Sequence, residues 1–130
     1  MPLNDGNNNW HKEVFIIKDL MINKYLEKIK KHICDKGFDF AGSRDKNARF
    51  MREHGFNIDD ITDILLDLHS THYLDGPERD HNKNLEGDVW KFKYNLELDN
   101  DFNILIYIKI RYNPPNELVC ISFHEDEVCI

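Results

Sequence analysis

The side chains with the most chemistry to offer lie late in the chain, in "DVWKF", "FNILIYIKIRY" and "CISFHEDE". Lys91, Lys93, Lys109 and Arg111 are cations. Tyr107 is a phenol, Ser122 a hydroxyl and His124 an imidazole. Cations of this kind neutralise phosphate oxygens and the extra negative charge of a phosphoryl transition state. An imidazole gives or takes a proton near neutral pH, and a tyrosine ring can stack on a base or assist a proton transfer. The chemistry in view is the binding and cleavage of a phosphodiester, with no metal or cofactor called for. The plainer interpretation is a solvated sheet face, where lysine and tyrosine are ordinary and the acidic "EDE" of residues 125–127 pairs with the cations.

What collects these groups is a period of two. Trp90, Phe92 and Tyr94 alternate with Lys91, Lys93 and Asn95. Ile104, Ile106, Ile108 and Ile110 alternate with Leu105, Tyr107, Lys109 and Arg111. In "LVCISFHE" the same rhythm sets Val119, Ile121 and Phe123 against Leu118, Cys120, Ser122 and His124. Three antiparallel strands are expected, joined by turns at Asp99-Asn100-Asp101 and Asn113-Pro114-Pro115-Asn116. One face then carries Trp90, Phe92, the four isoleucines, Val119, Ile121 and Phe123, and the other carries the cations. A register slip of one residue would turn the whole apolar set to water.

Helices precede the strands. Leu26, Ile29 and Ile33 make an apolar stripe in a helix from about Asn23 to Lys36, stopped by Gly37. "FDFAGS" suggests a short strand over Phe38–Ala41, and "DKNARFMREHG" a short helix closed by Gly55. "NIDDITDILLDLH" has an N-cap in Asn57, first-turn carboxylates in Asp59 and Asp60, and a stripe of Ile58, Ile61, Ile64, Leu65 and Leu68. Residues 70–88 read as a long polar loop around Gly76-Pro77. The order is α+β: helices packed on one face of a small antiparallel sheet. The Asn-rich start is expected to be loose, so residues 1–18 form a partly disordered extension and residues 19–130 a single domain.

With 130 residues, one modest core is expected. The longest greasy stretch, "VFIIKDLMI", is broken by Lys18-Asp19 and is too short to span a bilayer, and no signal-peptide pattern opens the chain. The three cysteines are irregularly spaced, which argues against a disulfide framework and for a reduced, cytosolic protein. The net charge is −7, but unevenly spread. Residues 18–52 carry ten basic and five acidic side chains, and residues 53–130 six and seventeen. An acidic total argues against DNA binding by the domain itself, while a local basic patch stays possible. Cys120, His124 and Cys129 lack the spacing and the fourth ligand of a zinc site. His69 and His72 have no carboxylate partner of the HExxH kind. Cys34 is expected to be a partly buried thiol.

Taken in order, "HYLDGPERD", "DVWKF", "IYIKI" and "CISFHEDE" resemble the MqsR family of toxins from bacterial type II toxin–antitoxin systems. The resemblance runs from about Tyr25 to Glu127. It implies a RelE-like toxin fold and a metal-independent endoribonuclease, an mRNA interferase, that cuts mRNA and inhibits translation in the cytoplasm. It also implies a cognate antitoxin protein as partner. Onto the family's active positions it maps Lys91, Tyr107 and His124 as catalytic, with a lysine standing in the family where this chain has His124. Lys93, Lys109 and Arg111 would bind substrate. The family's loop lysine falls at Asp75 or Leu74 here, a departure. The departure and the acidic half support an alternative: a catalytically impaired relative that acts as a protein-binding regulator or inhibitor.

Overall fold

The computed structural model describes residues 3–79, 86–98 and 102–126, with side chains from residue 16 onward. The expected turn at residues 99–101, Glu127 and Cys129 lie outside these. The architecture is α+β. Helices α1 (Leu3–Lys36), α2 (Asp45–His54) and α3 (Ile58–Leu66) accompany strands β1 (Asp39–Phe40), β2 (Tyr73–Arg79), β3 (Asp88–Leu98), β4 (Phe102–Asn113) and β5 (Glu117–Glu125).

On α1 the buried positions Ile22, Tyr25, Leu26, Ile29 and Ile33 follow helical spacing and lie in one core with the sheet. The helix starts at Leu3, not near Asn23, so the backbone is helical through most of the stretch expected to be loose. No proline interrupts residues 3–36, and asparagine costs a helix only a fraction of a kcal/mol per residue, about 0.7 at most. Ile16, Ile17, Leu20 and Met21 are exposed, and among the described side chains of α1 the first buried one is Ile22.

Helix α3 begins with a reciprocal cap. The Asn57 Oδ1 accepts from Asp60 N at 3.1 Å, and Asp60 Oδ2 accepts from Asn57 N at 2.8 Å. Ile61, Ile64, Leu65 and Leu68 are buried as expected, but Ile58, the first residue of the helix, is exposed. Cys34 is also exposed, one position past the buried Ile33 on α1.

The sheet has five strands in the order β1-β5-β4-β3-β2. It is mixed rather than purely antiparallel, since β1 pairs β5 in parallel through Asp39–Val119 and Phe40–Cys120. The three expected strands form its centre. β2 is the larger departure: the stretch read as loop contains a short 3-10 turn, Ser70–His72, and then a strand paired to β3. It lacks alternation because its register shifts twice, between Tyr73 and Asp75 and again between Asp75 and Glu78.

The inner face matches expectation on β3 and β4: Trp90, Phe92, Ile104, Ile106, Ile108 and Ile110 are buried against the helices. On β5 it does not. Leu118, Cys120 and Phe123 are the buried apolar residues there, and Val119 and Ile121 are not in the core. The register explains this. Cys120 stands opposite Ile110 and Ser122 opposite Lys109, so Ile121 is an extra residue, a bulge. Before the bulge the even positions point inward; after it the odd ones do.

Candidate functional site

The outer face of the sheet is a ladder of rows, each read from strand pairing. Lys93, Tyr107 and His124 stand opposite one another on β3, β4 and β5. The next row is Asp75, Lys91, Lys109 and Ser122, and the one after it Glu78, Val89, Arg111 and Val119. With strands spaced at about 4.8 Å, the first row spans roughly 10 Å. The expected catalytic residues Lys91, Tyr107 and His124 and the expected binding residues Lys93, Lys109 and Arg111 therefore share one face. Arg111 is buried, however, and bonded to Glu117 at 2.7 Å, so it acts as a strut under the face more than as an open contact.

His124 owes its place to the bulge. Had β5 continued the alternation set by Leu118 and Cys120, His124 would point into the core. The extra residue Ile121 resets the phase and sets Ser122, which is buried, and the half-buried His124 on the outer side of the strand. Asn47 holds this stretch. It sits on α2, 1% exposed, where it donates to Ala41 O and Ile121 O, both at 2.9 Å, and accepts from Phe123 N at 2.9 Å. One amide side chain thus takes the part of a neighbouring strand just where β1 ends, satisfying backbone groups that burial would leave unpaired. Arg44 adds a bond to Ile121 O at 3.4 Å.

The imidazole of His124 lies half-buried beside Tyr107, ring centres 5.6 Å apart. Its Nδ1 is 2.9 Å from Glu125 O. A carbonyl oxygen only accepts, so Nδ1 carries the hydrogen and Nε2 of the neutral ring has the lone pair. Burial raises the Tyr107 phenol above its ordinary pKa, Lys91 beside it pulls the other way, and the carboxylates of Glu78, Asp126 and Asp75 add to the rise. Tyr107 thus keeps its proton at neutral pH.

The cations are not bare. Lys91 pairs with Glu78 at 2.8 Å and with Asp75 at 4.0 Å, and the Glu78 hydrogen bond raises its pKa. Lys93 pairs with Asp126 at 3.1 Å. Lys109 has no ion pair among the described residues. Glu78 reaches the face only because β2 is bulged at Gly76-Pro77. Asp75 and Glu78 are three positions apart while their partners Lys91 and Val89 are two apart. Gly76 makes this possible with φ +114°, and a Cβ there would lie 2.7 Å from Val89 O.

Sequence reasoning missed Asn47, Glu78 and the strand that carries Glu78. Asn47 had a readable signal: it precedes Phe50 by three residues on the face of α2 that must be buried, an odd place for an unpaired amide. The bulge in β2 leaves no such mark. Cys120 is buried, its thiol pushed up to about 12 by desolvation, and no cluster of His, Cys, Asp or Glu among the described residues would hold a metal. His69 and His72 stack on each other, with His72 Nδ1 accepting from His69 N at 2.9 Å.

No protein-family model matches the chain, and no curated protein and no solved structure matches it either.

Proposed function

We propose that the protein is a metal-independent endoribonuclease of the MqsR toxin type, acting on mRNA and held in check by a cognate antitoxin protein. The observation that supports it is the row Lys93–Tyr107–His124 lying directly beside Lys91–Lys109 on one face of a rigid sheet. A proton acceptor, a proton donor and cations for a phosphate come together there, on strands and not on loops.

The reaction that suits this set is internal transesterification. The 2′-hydroxyl attacks the adjacent phosphorus, the bond from phosphorus to the 5′-oxygen breaks, and a 2′,3′-cyclic phosphate and a 5′-hydroxyl end result. Nε2 of His124 takes the 2′-hydroxyl proton, and the Tyr107 phenol supplies one to the leaving oxygen. Lys91 and Lys109 stabilise the charge that builds on the phosphoryl oxygens. Lys93 holds the phosphate from the far end of the row.

The test is incubation with a defined single-stranded RNA in EDTA, followed by end-group analysis. Cyclic-phosphate ends are expected. His124→Ala lowers the rate by about 100- to 10,000-fold, the usual range for removing an acid–base group, with the fold intact by circular dichroism. Undiminished cleavage by Lys91→Ala/His124→Ala sinks the site assignment.

A second reading has its own observation. Lys91 and Lys93 are both occupied by the protein's own carboxylates, and Asp75, which with Leu74 is where the family resemblance implies a lysine, stands opposite Lys91. A catalytically impaired relative that binds a basic protein fits this arrangement. It predicts no cleavage by a folded sample and no toxicity on induced expression.

A further inference from the structure

On the helix side of the sheet, where β3 starts and β4 ends, a cleft of about 300 Å³ opens between the strands and α1. Strand pairing sets Asp88 opposite Tyr112 there, with Trp90 two residues along β3 on the same face. Tyr25 of α1 packs into this corner. Its ring stacks on Trp90 with centres 4.0 Å apart and meets Tyr112 edge-on at 6.2 Å. Met21 and Pro114 extend the apolar lining. A wall of this kind suits a flat ring system, which aromatic side chains hold by stacking and edge contacts.

Three kinds of polar group accompany the wall. The Tyr25 hydroxyl is buried and has no hydrogen-bond partner among the described residues. Burial raises its pKa well above the ordinary value, so it keeps its proton and is able to donate. Lys24 and Lys28 stand one turn apart on the α1 rim, both exposed and with no ion pair among the described residues. Asp88, from the strand side, is the one carboxylate lining the cleft among the described residues, and it too is exposed and has no ion pair among them. A ligand that is only anionic would leave Asp88 opposed. The lining asks for a ring with hydrogen-bond donors for Asp88, an acceptor for Tyr25 and an anion for two cations.

We propose that this cleft binds a purine mononucleotide. The base lies against the aromatic wall, its N–H donors on Asp88, and a ring nitrogen or oxygen accepts from the Tyr25 hydroxyl as the base presses into the lining. The phosphate lies at the rim on Lys24 and Lys28, where a doubly charged group matches two cations better than a carboxylate does. An aromatic amino acid also carries a ring, an amine and an anion, but its carboxylate matches one cation, and the rings of phenylalanine and tryptophan offer the phenol no acceptor. The cleft lies on the face of the sheet opposite Lys91, the residue after Trp90, so the assignment holds whether or not the outer face cuts RNA.

The experiment is calorimetric titration of the full chain with GMP, with guanosine and L-tryptophan as parallel arms. One site with a Kd on the order of 10 µM is expected, the scale for a ligand of this size. Guanosine should bind about tenfold more weakly, as expected for loss of a charge-assisted contact. Lys24→Ala/Lys28→Ala, at two exposed positions, should bring GMP down to the affinity of guanosine and leave guanosine unchanged. Tyr25→Phe should weaken GMP about two- to tenfold without lowering the melting temperature of the ligand-free protein, because it removes a hydroxyl that has no partner. A folded sample with no saturable GMP binding up to about 1 mM overturns the proposal. So does equal affinity for GMP and guanosine, or L-tryptophan binding as tightly as GMP. None of these results bears on cleavage by the outer face, which the end-group assay tests separately.

Discussion

The two flanks of the sheet use one device to opposite electrostatic ends. Each flanking strand carries a bulge, and each bulge re-aims a polar side chain onto the outer face. In β5 the extra residue Ile121 turns His124 outward, beside the basic edge of α2. In β2 the shift around Gly76-Pro77 turns Glu78 outward, against Lys91. The means of support differ. The β5 bulge is held by a buried side chain, Asn47, through hydrogen bonds to the backbone. The β2 bulge is held by the conformation of a glycine that comes within contact distance of β3. A bulge thus decides which chemistry reaches a surface, while the central strands β3 and β4 supply the cations that both flanks compete for.

That contrast can be broken most forcefully at Asn47. Asn47→Ala removes the side-chain partner of Phe123 N and one of the two side-chain partners of Ile121 O, which keeps Arg44, and an orphaned buried group costs about 1–3 kcal/mol. A loss of about 3 kcal/mol in urea unfolding is expected, together with a fall in cleavage, since His124 loses its fixed direction. Unchanged stability would mean that the bulge holds without the amide.

Gly76→Ala attacks the other flank. The new Cβ meets Val89 O and the backbone must leave φ +114°, for a cost of about 2 kcal/mol. Here the sign on binding should be reversed: as β2 loosens, Asp75 and Glu78 withdraw from Lys91 and RNA affinity rises while the melting temperature falls. A parallel fall in both would show that β2 supports the site and does not oppose it.

Glu78→Gln is the smallest change and sharpens the comparison without disturbing the strand. The pair it breaks is partly exposed and worth about 0.5 kcal/mol, so stability should hardly move, while affinity for RNA gains about two- to fivefold. The pH dependence gives a second reading of the same pair. The Lys91 pKa is raised above its ordinary 10.5, chiefly by the Glu78 hydrogen bond. Folding therefore gains from this lysine fully below pH 10.5, and the gain is lost as pH rises through the higher folded value. In Glu78→Gln the part of the alkaline loss due to this pair should vanish, as followed by unfolding between pH 9 and pH 12, a window set by the direction of that shift.

How much was legible follows from which interactions are local. The faces of β3 and β4 were plain in the sequence, because alternation along an unbroken strand assigns each side chain without reference to its partner. The cap and stripe of α3 were equally plain, since both depend on neighbours within one or two turns. So was the stripe of α1, though not its start, because the asparagines of that stretch weigh against a helix too weakly to stop one. The membership of the candidate site, Lys91, Lys93, Tyr107, Lys109 and His124, came from these local rules. For His124 the reading reached the right face by the wrong route, with Val119 and Ile121 assigned to the core that Leu118 and Cys120 occupy.

What only the tertiary structure decided is everything that depends on a partner strand or a distant helix. An extra residue in a ladder is invisible along the chain, because it exists only as a mismatch between two strands. The bulge at Ile121 needed the pairing of β5 with β4 and the Asn47 amide seventy-four residues away along the chain. The strand β2 needed β3 beside it to be a strand at all. The chain by itself determined which groups could do the chemistry; long-range hydrogen bonding, which no local pattern encodes, decided which of them meet.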